Sequence, residues 1–371
     1  MWNASHRVTI TERKGDEAEM IEVAAFTSGR NVPSSRFRVR QYIQPLAECG
    51  IIVREYCPLV DKFAAPLHPK VDFPLRTAKL MSRAPGILLS RRADLVWMER
   101  EFITGRATWE RFLKQPRVLD VDDAIWLHAA AEEDFSLNIA RGCAGVIAGN
   151  SYIRAHYERG GIHAWLLPTG VDTDRWKPDE AAKGKDSTLF VVGWTGTSSN
   201  LEYLYQIEEP LGEFLRQVPH ARIKVVCDSP PRFRLIPADK TFFVPWSPEG
   251  ECEAVQGMDI GLMPLPDTRW ALGKCSLKML LYMATGIPVV ASPIGTNRDI
   301  FDRGAIGFAA STPRDWFESL LAAYENPQLR LAMGQVGRQI VLNSFSTSVL
   351  SRRLASIFRE ILPSSENQRS R

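Results

Sequence analysis

Leu272-Gly273-Lys274-Cys275-Ser276-Leu277-Lys278-Met279-Leu280-Leu281-Tyr282-Met283-Ala284-Thr285-Gly286-Ile287-Pro288-Val289-Val290-Ala291-Ser292 is the stretch on which the reading of this sequence turns. A Gly-containing loop runs into a helix from about Ser276, and Gly286 stands where a helix ends in the left-handed conformation. Pro288 cannot continue the helix, and a buried strand begins at once. The helix N-terminus offers unpaired N–H groups and the positive end of the dipole, which suit a phosphate. Lys274 and Lys278 lie four residues apart and can face one anion. Lysines alone fit an ordinary solvated helix better, because charge pairs are common on surfaces. The loop–helix–turn–strand context reverses that preference.

Outward from this segment the same alternation recurs. Upstream in the second half, Leu189–Trp194, Ile223–Cys227, Thr241–Val244 and Asp259–Met263 read as strands and Asn200–Arg216 as a helix; Pro288–Ala291 closes the series. In the first half, Ile21–Phe26, Ile51–Tyr56, Asp94–Met98, Arg117–Val121 and Gly145–Ala148 are strand candidates, and Arg38–Cys49 has helical spacing. Trp165–Leu167 runs into the turn cluster Pro168–Asp172. Strands separated by helix-length segments predict an α/β fold of two Rossmann-like, doubly wound parallel-sheet domains facing a cleft. The expected division is residues 1–176, a linker at 177–188, residues 189–345, and a C-terminal helix with a polar tail at 346–371. The C-terminal helices are expected to pack back on the first domain.

Length and composition agree. A chain of 371 residues exceeds one ordinary core. Its apolar share of 45% and charged share of 24% are those of a globular protein. A net charge of +3 argues against nucleic-acid binding. Six scattered cysteines make no metal-ligand spacing and read as reduced thiols of a cytoplasmic protein. The first twenty residues are polar and lack a signal-peptide run. No apolar stretch approaches the ~20 residues that span a bilayer.

The quoted stretch resembles the donor-binding signature of GT-B glycosyltransferases of the family 4 type (glycosyl transferases group 1), in which Glu-Ala-Met-Ala-x-Gly-x-Pro-Val-Val recurs. Met283, Ala284, Gly286, Pro288, Val289 and Val290 match in order. Ile294–Ile300 stands at the family's Gly-rich turn, and Gly307-Phe308, Asn326-Pro327, Met333-Gly334 and Phe345-Ser346 follow. Leu167–Asp172 and Gly149-Asn150-Ser151 resemble family segments at the end of the first domain. The family's two glutamates, typically holding the donor sugar and the ribose, fall on Gly273 and Leu281. This is therefore a divergent branch, with sugar and ribose recognition unassigned.

The resemblance implies a donor site of Lys274, Cys275, Ser276, Leu277, Lys278 and Asp299, with Trp194, Thr195, Gly196 and Thr197 in the loop after the first strand of the second domain. The family's Arg and Lys are absent from that loop, whose amides are offered instead; a plain Gly-rich turn is an equal alternative there. Gly29 and Arg36, after the first strand of the chain, are expected at the cleft, with Arg38 and Arg40 on a solvated face.

Asp120-Val121-Asp122-Asp123 admits three readings: a metal-binding Asp-x-Asp, a phosphatase nucleophile, or a strand-end carboxylate in the ligand crevice. Asp-x-Asp glycosyltransferases have one Rossmann-like domain, and the phosphatase's later Lys and Asp find no place here. Alignment with the family strand that ends in a catalytic-region His puts Asp122 in the catalytic position, positioning the acceptor or acting as base. Asp123 instead caps the next helix.

The implied enzyme is a hexosyltransferase-type glycosyltransferase moving sugar from a nucleoside diphosphate to a glycan or lipid-linked acceptor, retaining, without metal or cofactor beyond the nucleotide sugar. Surface polysaccharide or glycoconjugate synthesis follows from family habit. A non-catalytic nucleotide-sugar-binding protein is the main rival; a sugar-nucleotide epimerase lacks the histidines and paired carboxylates it needs. Leu75–Arg92 mixes apolar and basic residues and admits peripheral contact with an inner membrane face, although Pro85-Gly86 interrupts it and an ordinary surface helix pair is the plainer reading.

Overall fold

The computed structural model describes residues 20–63, 72–128, 131–179 and 188–362. Most of the expected linker, the polar N-terminal leader and the tail from 363 onward lie outside the described residues.

Six strands open the chain: β1 (Ile21–Phe26), β2 (Ile51–Tyr56), β3 (Leu95–Glu99), β4 (Arg117–Val121), β5 (Gly145–Ala148) and β6 (Ala164–Leu166). Between them run α1 (Ile43–Ala47), α2 (Asp72–Met81), α3 (Ala84–Leu89), α4 (Phe135–Arg141) and α5 (Ser151–Arg159). The strands form one parallel sheet in the order β2-β1-β3-β4-β5-β6. Both β3 and β4 are buried along their whole length, as in a sheet covered on both faces.

The second sheet comprises β7 (Phe190–Thr195), β8 (Ala221–Cys227), β9 (Thr241–Pro245), β10 (Ile260–Met263), β11 (Val289–Ala291) and β12 (Gly307–Ala309), parallel in the order β12-β11-β10-β7-β8-β9. Its helices are α6 (Leu201–Tyr205), α7 (Glu208–Gln217), α8 (Glu251–Gln256), α9 (Arg269–Leu272), α10 (Leu277–Ala284), α11 (Thr296–Phe301), α12 (Pro313–Glu325) and α13 (Pro327–Ser344). That strand order is the dinucleotide-fold order, with the switch point between β7 and β10. The expected helix over 200–216 is two, because Pro210 has no N–H to bond the carbonyl of Gln206. The edge strand β12 was not expected: three residues opening on a glycine give no periodic signal. Gly286 has φ +73°, the conformation expected past the end of α10.

The domains interlock. Phe37 of the first packs in the second domain's core cluster, and Cys275 of the second packs in the first domain's. A last helix, α14 (Thr347–Ile361), returns to the first domain, as expected. Its Leu350, Leu354 and Phe358 lie with Val23, Leu46 and Val118, and Phe358 meets Trp97 edge-on at 5.3 Å.

Arg38 departs from the reading of a solvated face. It is 1% exposed and bonds Asp120 at 2.8 Å and the carbonyl of Leu167 at 2.9 Å. The helix here begins with a wide π turn over Ser35–Val39, which changes the side-chain phase and turns Arg38 inward. Arg40, half-exposed, pairs with Glu55.

Candidate active site

The carboxyl ends of both sheets face each other, and the loop 272–276 crosses between them. Asn150 caps α5 by accepting from the N–H of Ile153 at 2.9 Å, and its amide nitrogen donates to the carbonyls of Leu272 and Lys274 at 3.1 and 3.2 Å. Ser276 enters α10 with φ +54° and donates to Asn297 at 2.6 Å. Holding a non-glycine residue in that region costs roughly 1–3 kcal/mol, and such residues concentrate at functional sites. Tyr282 secures the other side of α10: its hydroxyl receives the N–H of Thr195 at 2.9 Å, beneath Gly261.

The N–H groups of Leu277, Lys278 and Met279 make no hydrogen bond within the described residues. Beside them the Lys278 ammonium lies 4.4 Å from the centre of the Trp194 ring and close to Gly196. Lys278 has no ion pair among the described residues, and burial together with neighbouring Lys274 pushes its pKa down to about 7. An unneutralised cation beside open helix-end amides is a site shaped for an anion. Trp194 itself is fully buried.

The two lysines are engaged differently. Lys274 pairs with Asp123 across the domain boundary at 3.1 Å and sits over Trp270. Asp123 caps no helix side chain to backbone; it also receives Arg100 at 2.7 Å. Burial alone would raise the Asp123 pKa, but Lys274 and Arg100 hold it below the usual carboxylate range. Arg100, at φ +57°, also clamps Asp122 at 2.6 Å.

The loop after β7 is less open than expected. Thr195 gives its N–H to Tyr282, Gly196 to the carbonyl of Val226 at 3.0 Å, and Ser198 to Asp228 at 2.6 Å. The hydroxyls of Thr197 and Ser199 bond each other at 3.0 Å. Gly29 is buried against Asp61, where a Cβ would collide. Arg36 does reach the cleft, but spans it, making a bidentate pair with Glu251 of α8, which also receives Trp246 at 2.9 Å and Arg175 at 3.1 Å. Asp299 is exposed on α11, and Cys275 is buried in the crossing loop.

At the ends of β10, β11 and β12 a cleft of about 340 Å³ is lined by Leu265, Pro266, Ser292, Ile294, Arg298 and Trp316 among others. Gly295 packs its backbone against Leu272, so this cleft and the crossing loop adjoin.

Residues 186–326 match the family model described as glycosyl transferases group 1. The chain has the two-domain fold called GT-B, and the family match falls on its second domain. In fold it is similar to sucrose-phosphate synthase from Thermosynechococcus elongatus, with 14% identity, 92% and 99% of the two chains covered and a TM-score of 0.68. It is also similar to Anabaena Alr3699/HepE in complex with UDP-glucose, at 14% identity, 92% and 100% coverage and a TM-score of 0.63. WaaG, a glycosyltransferase involved in lipopolysaccharide biosynthesis, aligns at 15% identity, 90% and 99% coverage and a TM-score of 0.62. No curated protein matches the sequence.

In this chain the two positions that correspond to the family's glutamates are physically closed. A Cβ on Gly273 would lie 2.5 Å from the Ala124 Cβ and 2.6 Å from its nitrogen. Leu281 is 5% exposed in the second core, where an unpaired carboxylate would be costly. Three residues that organise the site have no role assigned from sequence: Arg100, Asn150, named there only within a family-like segment, and Glu251. Asn150 carries a readable cap signal; the other two act through partners that only the tertiary structure brings close.

Proposed function

We propose that the enzyme binds a nucleoside-diphosphate sugar with its diphosphate at the N-terminus of α10 and transfers the sugar to an acceptor hydroxyl held on the first domain's strand ends. The observation that carries this is Lys278, a half-buried cation with no counter-ion among the described residues, beside three amides that have no partner among them. As the bond from the anomeric carbon to the phosphate oxygen breaks, negative charge grows on the diphosphate, and these fixed donors stabilise it. The acceptor oxygen forms the new bond, and its proton leaves to the departing phosphate oxygen.

Asp122, fixed by Arg100, orients the acceptor hydroxyl as a hydrogen-bond acceptor rather than taking the proton. The cleft near Trp316 takes the base. Arg36 contributes by holding the domains together over the donor, a step that excludes water from a reaction in which hydrolysis competes. We further read the transfer as retaining and independent of a divalent metal, the acceptor as a glycan or lipid-linked saccharide in surface polysaccharide or glycoconjugate synthesis, and the site of action as cytoplasmic, in keeping with six free thiols.

Thermal-shift titration with UDP-, GDP-, dTDP- and CMP-sugars tests the reading. One of them should raise Tm in the native enzyme and fail to do so in Lys278→Ala. Stabilisation by none, or equal stabilisation of the variant, would overturn it. NMR of the product anomer decides retention, and EDTA should leave the rate unchanged.

A further inference from the structure

We infer that an aromatic strip beside the crossing loop is a subsite for the sugar units of an extended glycan acceptor. It is built by both domains, from the partly exposed rings of Trp126, Tyr152, His156 and Trp270 and the exposed ring of His128. Trp126, in the turn that follows β4, lies parallel to His156 of α5 with ring centres 3.6 Å apart. Tyr152 shares the helix face of His156, one turn away, and lies 6.0 Å from Trp126 at a shallow angle of 26°. Across the domain boundary, Trp270 of α9 meets His128 at 6.3 Å. The indole N–H groups of Trp126 and Trp270 and the hydroxyl of Tyr152 make no hydrogen bond among the described residues. Packed aromatic side chains normally give these groups a partner, and here they are left to a ligand or to water.

Position and charge select the occupant. The strip begins where the crossing loop touches the first domain: Gly273 packs on Ala124, two residues before Trp126. The Lys274 ammonium lies 5.0 Å from the centre of the Trp270 ring and 3.1 Å from Asp123. A glycan whose terminal hydroxyl is held at Asp122 has its preceding units beside these rings. Arg159, Asp134 and Arg269, all exposed, are the charges that act on His156 from α5, from the start of α4 and from α9. Flat rings cover the C–H faces of sugars, while carboxylate and guanidinium groups at the border bond their hydroxyls. Asp134 follows Glu132 and Glu133, which are also exposed, and that acidic border repels an anionic bilayer. Given the proposed transfer to an acceptor hydroxyl, on which this assignment rests, the strip makes that acceptor a glycan of more than one sugar unit.

Binding of the full chain to an array of defined mono- to hexasaccharides, followed by isothermal titration with the best binder in solution, tests this. Oligosaccharides should bind and the corresponding monosaccharides should not. Trp126→Ala and Trp270→Ala should each lower the oligosaccharide affinity by about tenfold or more, and Trp270→Phe, which keeps a ring, should retain most of it. Leu331→Ser, at a 56% exposed site on α13, should leave it unchanged. Circular dichroism melts separate a folding defect, to which Trp126 is the more open because it also packs on the first core. The Tm shift with nucleotide sugars is read separately: its absence beside intact glycan binding faults the donor site and leaves the strip standing. Binding of no glycan, equal binding of mono- and oligosaccharides, or full affinity in a folded Trp270→Ala variant would each overturn the inference. So would binding to phosphatidylglycerol vesicles, or a dimer seen by light scattering, that Trp270→Ala abolishes.

Discussion

Lys278 is placed so that its charge depends on what it binds. Burial and Lys274 depress its pKa to about 7, far below the ordinary lysine value, so the unliganded site loses its cation as pH rises through neutrality. Donor affinity should therefore fall between about pH 6 and 9, measured by isothermal titration with the donor nucleotide, and Lys278→Arg should move that fall to higher pH. The same depression makes the unfolded chain bind more protons than the folded one between about pH 7 and 10.5, so its contribution to stability rises with pH across that window. Gly273→Glu gives the second residue-scale test. Restoring the family residue should not restore a contact; collision with Ala124 should lower Tm and activity together. The sequence revealed that glutamates were missing, but the reason was legible only in space: Ala124 belongs to the other domain.

Among elements, α10 shows how far a sequence reading reaches. Its helical period, its Gly286 terminus and the strand after it were all readable from local chemistry, and the structure has each in place. The partners of its residues were not, because a pair such as Lys274 and Asp123 is separated by most of a domain in sequence. The π turn before α1 marks the same boundary: alternation placed Arg38 outward, while hydrogen bonds to Asp120 and Leu167 hold it inside. At this scale Tyr282→Phe is informative. Losing the hydroxyl leaves the buried N–H of Thr195 without a partner, and the cost should be about 1–3 kcal/mol in urea unfolding. Because Tyr282 ties α10 to β7, donor affinity should drop as well.

Across the whole molecule, Glu251 joins Arg36, Arg175 and Trp246, and the crossing loop docks through Asn150 and Asp123. Glu251→Ala should loosen that union, seen as a larger radius of gyration in solution scattering, with hydrolysis of the donor rising relative to transfer. Phe358→Ala should cost about 3–5 kcal/mol although it lies far from the donor site. Two α/β domains were legible from alternating apolar runs; their interlocking was not, since Phe37 and Cys275 look like ordinary core residues of their own halves. The return of α14 has a further consequence for synthesis. Trp97 and Leu46 acquire part of their packing from residues 350–358, which are synthesised only after the whole second sheet. The first half of the chain therefore emerges with an unfinished interior, and its completion waits for the synthesis of the second domain, out of the N-terminus-first order usual for multidomain proteins.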